Sequence, residues 1–202
     1  MANTIIAFDE QDSTLGGFFA ECEQALDTYF AAQNVVIRKI NSNRLNSLII
    51  ASSTAAFPSF VFGAYSHGDH ESLLKSARDP YISIALNGNS FRNCFFYTFS
   101  CSAGKTLGQG LVERNCHCFI GYSKPVAIWS TFIRPFVECA NYGLIRFFSG
   151  SNSETVVSEM LEKYNENIDA IYKVDFMIAA ILKENRDALV RHGNSISIND
   201  LV

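Results

Sequence analysis

Residues 60–70 read FVFGAYSHGDH, and residues 93–104 read NCFFYTFSCSAG. Each stretch is a short, almost wholly apolar run that stops abruptly at small and polar residues. Runs of this length suit strands better than helices. An apolar side chain at nearly every position means that both faces are covered, as in a parallel sheet. Phe60–Tyr65 and Asn93–Phe99 are therefore expected to be buried strands. Each is followed at once by a residue with chemistry, His67 after the first and Cys101 after the second.

Working outward, the same alternation continues. Thr4–Phe8 is a short apolar run ending at Asp9. In Leu15–Ala32 the apolar residues Leu15, Phe18, Phe19, Cys22, Leu26, Tyr29 and Phe30 follow helical spacing. Val35–Ile40 is β-branched and apolar, and Arg44–Ser53 is expected to be helical. Ser72–Lys75 and Tyr81–Ala85 flank Arg78-Asp79-Pro80 as a small hairpin. Thr106–Arg114 reads as a helix and Cys116–Tyr122 as a strand. The remainder is expected to be helical over Ile128–Phe148, over a segment capped by Ser153, and over Phe176–Val190, with Ser195–Ile198 as a terminal edge strand. Strands alternating with helices imply a three-layer α/β/α sandwich around a mostly parallel sheet of five or six strands. With 202 residues and no linker or repeat, residues 1–202 read as a single domain.

Composition narrows the function. Apolar residues make up 48% and charged residues 18%, which is globular. The formal net charge is -4 with no basic tract, so nucleic acid is not an expected partner. The longest apolar region, Val126–Phe148, contains Arg134, Pro135, Glu138 and Arg146, so it is expected to be buried helix and no membrane partner is expected. The start lacks the pattern of a secretory signal, which places the expected location in the cytoplasm. Cys22, Cys94, Cys101, Cys116, Cys118 and Cys139 are then expected to be thiols rather than a disulfide framework.

In an open α/β sheet, sites gather beyond the carboxyl ends of the strands. His67 and Cys101 both fall there, and on neighbouring strands they reach one rim. A cysteine attacks a carbonyl as thiolate, and a histidine beside it takes the thiol proton and returns it to the leaving group. The backbone N–H groups of Gly68 and Cys101 are the candidates for stabilising the oxyanion. The helix after Cys101 adds an expected dipole contribution. His70 is the rival histidine, in a polar stretch that suits a solvated loop. His67 and His70 with Cys116, His117 and Cys118 supply ligand types for zinc, but Cys116-His117-Cys118 is too tightly spaced for a structural site, so no metal is expected. Gly104-Lys105-Thr106 resembles the end of a phosphate loop, but Phe99 stands where its first glycine belongs. No cofactor is expected.

Ser66-His67-Gly68 and Ser100-Cys101-Ser102-Ala103-Gly104, each after an apolar strand, resemble the caspase-like (clan CD) cysteine peptidases. The similarity is closest to bacterial CHAT-type domains, relatives of caspases, metacaspases and separases. Leu111–Asn115 followed by Cys118–Tyr122 resembles the helix and strand after the nucleophile there, and Gly193–Ile198 the closing strand. The resemblance implies a caspase-like sandwich and a cysteine endopeptidase acting on a protein substrate, with His67 and Cys101 as the dyad and Gly68 at the oxyanion. His67 and Cys101 lie 34 positions apart, against about 50 in caspases proper. Phe99 and Ser100 stand where metacaspases and separases often carry an acidic residue. The loop after the first strand contributes to the pocket for the residue before the cut in that superfamily. There, Asp9, the foremost of Asp9, Glu10 and Asp12, is the expected contact for a basic side chain. The chain is either a stand-alone effector or dependent on a separate regulatory protein. The alternative to a peptidase is a catalytically inactive caspase-like interaction module, and an acyltransferase would use the same pair.

Overall fold

Phe95, Tyr97 and Phe99 pack into one hydrophobic core, while Cys94 and Phe96 pack into another. Alternate residues of one strand thus feed opposite faces, and both faces are covered. The computed structural model describes residues 2–202. In chain order the elements are β1 (Thr4–Phe8), α1 (Gly16–Ala32), β2 (Arg38–Ile40), α2 (Ser47–Thr54), β3 (Phe60–Tyr65), β4 (His67–Gly68), β5 (Ser72–Lys75), β6 (Asp79–Ser83), α3 (Ile84–Asn87), β7 (Cys94–Phe99), α4 (Thr106–Glu113), β8 (Cys118–Tyr122), α5 (Arg134–Phe148), α6 (Ser153–Tyr172), α7 (Phe176–Ala188) and β9 (Leu189–Gly193).

The main sheet has six strands in the order β2-β1-β3-β7-β8-β9. The first five are mutually parallel, and β9 runs antiparallel to β8. One core joins α1, α5, α6 and α7 to the sheet through residues such as Phe18, Leu26, Leu144, Met160 and Leu182. The other joins α2 and α4 through Ile50, Leu107 and Leu111, and includes Leu73 and Ile82 of the small antiparallel sheet β4-β5-β6. The architecture is a three-layer α/β/α sandwich, as the sequence predicts. Among the described residues, no helix is long and apolar enough to cross a membrane.

Five segments differ from expectation. Ile128–Phe148 is not one helix: residues 130–132 form a 3-10 turn and α5 starts only at Arg134, with Pro135 in its first turn. Proline suits that position because the N–H it lacks would go unused there. Ahead of the turn, residues 125–129 are neither helix nor strand, which matters for the site. Asn152, not Ser153, caps α6, its side chain accepting from the N–H groups of Glu154 and Thr155. Helix α7 stops at Ala188, and Leu189–Gly193 becomes the sixth strand, with Ile120 opposite Arg191. Pairing with β8 overrides the helical pattern there. The proposed terminal strand Ser195–Ile198 is instead a tether, the Ile196 N–H donating to Ser153 Oγ at 3.1 Å, followed by a 3-10 turn over Ile198–Leu201. At the other edge, the expected Val35–Ile40 strand pairs only over Arg38–Ile40.

Candidate active site

β1, β3 and β7 end level with one another, Phe8 being paired with Tyr65 and Tyr65 with Phe99. Three neighbouring strands therefore release the chain at one rim. His67 and Cys101, both half-buried, line the same cavity there. It measures about 250 Å³, and Leu15, Phe19, Phe99, Val126 and Ile128 supply apolar walls.

The ring of His67 is held from two sides. Phe19 meets it edge-on, with centroids 6.3 Å apart. Its Nε2 lies 3.1 Å from Asp12 Oδ1 and 3.4 Å from Thr14 Oγ1. The same carboxylate oxygen accepts the Thr14 hydroxyl at 2.6 Å and the amides of Thr14 and Leu15 at 2.8 and 2.7 Å. Burial alone would raise the Asp12 pKa. The donors from Thr14, Leu15 and His67 outweigh it and hold the carboxyl well below the usual carboxylate range. Asp12 is thus ionised and only accepts, while the one Thr14 hydroxyl proton is already given to it. Both neighbours of Nε2 are acceptors, so Nε2 carries the hydrogen and Nδ1 is left as the basic nitrogen.

Cys101 sits in a tight turn. Ser102, next in the chain, has φ +56°, in the left-handed region that costs a side chain energy. The turn is pinned to the segment after β8 by the Ser102 N–H donating to Lys124 O at 3.0 Å and the Gly104 N–H to Tyr122 O at 2.8 Å. Any side chain at position 104 would run into Val190 and the Tyr122 carbonyl, which accounts for glycine there. Gly68 has the same constraint against the Cys101 turn: a Cβ would lie 2.9 Å from the Cys101 carbonyl oxygen and 3.0 Å from Ser100 Cβ. The small sheet can therefore press directly on the Cys101 turn. The Cys101 N–H has no hydrogen-bond acceptor among the described residues, which suits the oxyanion role expected of it.

The segment ahead of α5 closes the cavity. The Val126 N–H donates to Cys101 Sγ at 3.4 Å, and the thiol faces the Val126 carbonyl at 3.6 Å. The next residue is clamped from behind by the buried Asn185. Its Oδ1 accepts the Ala127 N–H at 3.0 Å and its Nδ2 donates to the Ala127 carbonyl at 2.7 Å.

Two expectations do not hold at this rim. Asp9 does not reach the cavity. It is fully buried, with Oδ1 accepting the Ser42 hydroxyl at 3.0 Å and Oδ2 accepting the Ser76 N–H at 2.6 Å. Glu10 is likewise spent on Ser42. Of the three carboxylates after β1, the one at the site is Asp12. The helix dipole is also elsewhere: α4 begins at Thr106, and the N–H groups of Thr106 and Leu107 are taken by the His70 carbonyl. The first helical N–H groups, which carry the positive end of the dipole, thus face His70 rather than Cys101.

The other candidates separate in space. His70 is exposed, its Nε2 3.3 Å from Lys105 Nζ. Cys116 and Cys118 lie at the amino end of β8, across the sheet from His67, and among the described residues no three metal-ligating side chains converge. A wider cleft of about 540 Å³ runs between the small sheet and α4, but its lining, including Glu71, Gln109, Glu113 and Arg114, pairs no nucleophile with a base.

Thr14 and Asn185 are the residues that sequence reasoning passes over, and Asp12, placed at the rim with Asp9 and Glu10, is not recognised there as the partner of His67. Asp12-Ser13-Thr14 directly before α1 is a turn-and-cap pattern, and that signal marks Asp12 as an acceptor for nearby N–H groups. Nothing in the sequence links Asn185 to residue 127. Comparison of the chain with protein-family models and with curated proteins returned no match.

Proposed function

We propose that this protein is a cysteine endopeptidase of caspase-like type, with Cys101 as nucleophile and His67 as general base and then acid. The observation that carries the reading is the joint placement of His67 and Cys101 in one cavity at the ends of adjacent parallel strands. Asp12 on the far ring nitrogen supports it. In this mechanism Nδ1 of His67 takes the thiol proton and the sulfur attacks the substrate carbonyl. The oxyanion develops toward the Cys101 N–H and the backbone of Gly68. The C–N bond breaks, the amine leaves with the proton from His67, and water attacks the Cys101 thioester with His67 again as base. The Val126 carbonyl gives up its contact with the thiol proton in the first step, while the Val126 N–H keeps its donor position at the sulfur.

The test is a tagged, thiol-reactive peptide ketone applied to wild type, Cys101→Ala and His67→Ala. The expected outcome is labelling in wild type only. Labelling that persists in both variants at the wild-type rate overturns the assignment and leaves a non-catalytic interaction module.

A further inference from the structure

The cavity beside Cys101 also carries information about what enters it. Leu15, Phe19, Phe99, Val126 and Ile128 form its walls, and the polar groups at its edge are already engaged. The Ser66 hydroxyl is bound to Tyr81 Oη at 2.7 Å and to the His67 carbonyl at 2.9 Å. Asp12 contacts the cavity only through His67, and its Oδ1 takes donors from Thr14 and Leu15 as well. Asp9 and Glu10 face Ser42 and Ser76. No lysine or arginine lines the cavity. A charged group placed there would lose its water without gaining a partner, which is strongly unfavourable. At about 250 Å³, the space falls below the roughly 300 Å³ at which pockets begin to enclose whole small-molecule ligands. It is the size for one side chain.

We infer that the cavity receives an uncharged aliphatic side chain of the substrate, of leucine or methionine type, at the residue whose carbonyl Cys101 attacks. The inference rests on the proposed nucleophile and replaces the basic preference expected from Asp9. A missing methylene in such a pocket costs about tenfold or more in specificity, and an unpaired charge costs more.

Four acyloxymethyl ketone peptides, identical except for leucine, glycine, lysine or glutamate next to the ketone, test this. Reaction forms the S–C bond to the ketone methylene and breaks its C–O bond. The carboxylate leaves with the electron pair, and the thiol proton passes to His67. Mass spectrometry follows the adduct at Cys101. The expected result is leucine faster than glycine by about tenfold or more, with lysine and glutamate slower than glycine. Lysine or glutamate reacting as fast as leucine overturns the inference and leaves the nucleophile standing. No adduct at Cys101 with any of the four overturns both. Ile128→Glu, which places a carboxylate on the half-buried cavity wall, is expected to raise the lysine-to-leucine ratio at least about tenfold. An unchanged ratio in a folded variant places the side chain elsewhere and also overturns the inference.

Discussion

The two ends of β7 each carry a cysteine, and the two live in different chemistry. Cys94, at the amino end, is fully buried. Its sulfur lies 3.6 Å from that of Cys116 and 3.1 Å from the Phe91 carbonyl. Burial pushes the Cys94 thiol well up, and the neighbouring Cys116 adds to the effect. Cys118 beside them is pushed up to about 11 by burial, against opposing contacts from Ser153 and Arg191. Seven residues along the same strand and turn, Cys101 is half-exposed in a cavity with a histidine. The residue type is the same at both ends; what differs is access and whether a histidine shares the cavity. A cysteine packed only against thiols and carbonyls behaves as a small hydrophobe.

The contrast can be broken most severely by removing its accessible half, Cys101. All six cysteines are free thiols, and titration of the native protein with a thiol reagent is expected to show one fast group and the rest only after denaturation. Cys101→Ala is expected to abolish the fast group and all peptidase turnover. His67→Ala, measured as turnover of a leucine-containing peptide, is expected to lower the rate by about 10²–10⁴-fold, the usual worth of a positioned acid–base group.

Asp12→Asn sharpens the comparison more gently. The amide keeps an acceptor oxygen for His67 but loses the charge, and a rate loss of about tenfold, about 1.4 kcal/mol in the barrier, is expected. The same variant reports on stability. The Asp12 carboxyl in the folded protein is held well below its ordinary value of 3.8, so its stabilisation is fully present above that pH and is lost as the pH falls through the folded-state pKa. Denaturant melts are expected to show wild type more stable than Asp12→Asn at pH 7, with the gap unchanged down to the ordinary value of 3.8 and narrowing only below it. Exposed carboxylates such as Asp187 and Asp200 keep the same partners in both proteins and cancel in the difference. At the opposite end, Cys94→Ala is expected to leave Cys101 labelling unchanged and to cost about 1 kcal/mol of stability, read as a lower Tm.

How far the sequence carried the reading differs between these regions. β3 and β7 were legible because two-sided burial makes every residue apolar, and the break after each is sharp. His67 and Cys101 were legible as the first reactive residues past those breaks. Asp12 was not, because charge and position alone favour Asp9 just as well. The choice depends on Ser42 and Ser76 coming from distant loops to take up Asp9. The 126–129 segment looked helical since its apolar residues continue into α5. Its conformation is fixed by Cys101 on one side and Asn185 of α7 on the other, and both are tertiary contacts. The same holds for β9, whose half-buried residues acquire strand geometry only by pairing with β8.

The strand order has a consequence at the margins of the sheet. A sheet edge offers unpaired N–H and C=O groups to any other chain that approaches. Here one margin is β2, three residues long with exposed Arg38 and Lys39. The other is β9, which carries Arg191 and His192 and ends at Gly193 with φ +87°. Both margins are thus short and carry charged side chains, Lys39 being paired with Glu23 and Asp27, so a strand added at either edge would gain little hydrogen-bonding length and would strip water from those charges. A chain rich enough in phenylalanine to fill two cores thus offers little edge for templating a second sheet, and its carboxyl rim, where His67 and Cys101 sit, is the more accessible end of the sheet.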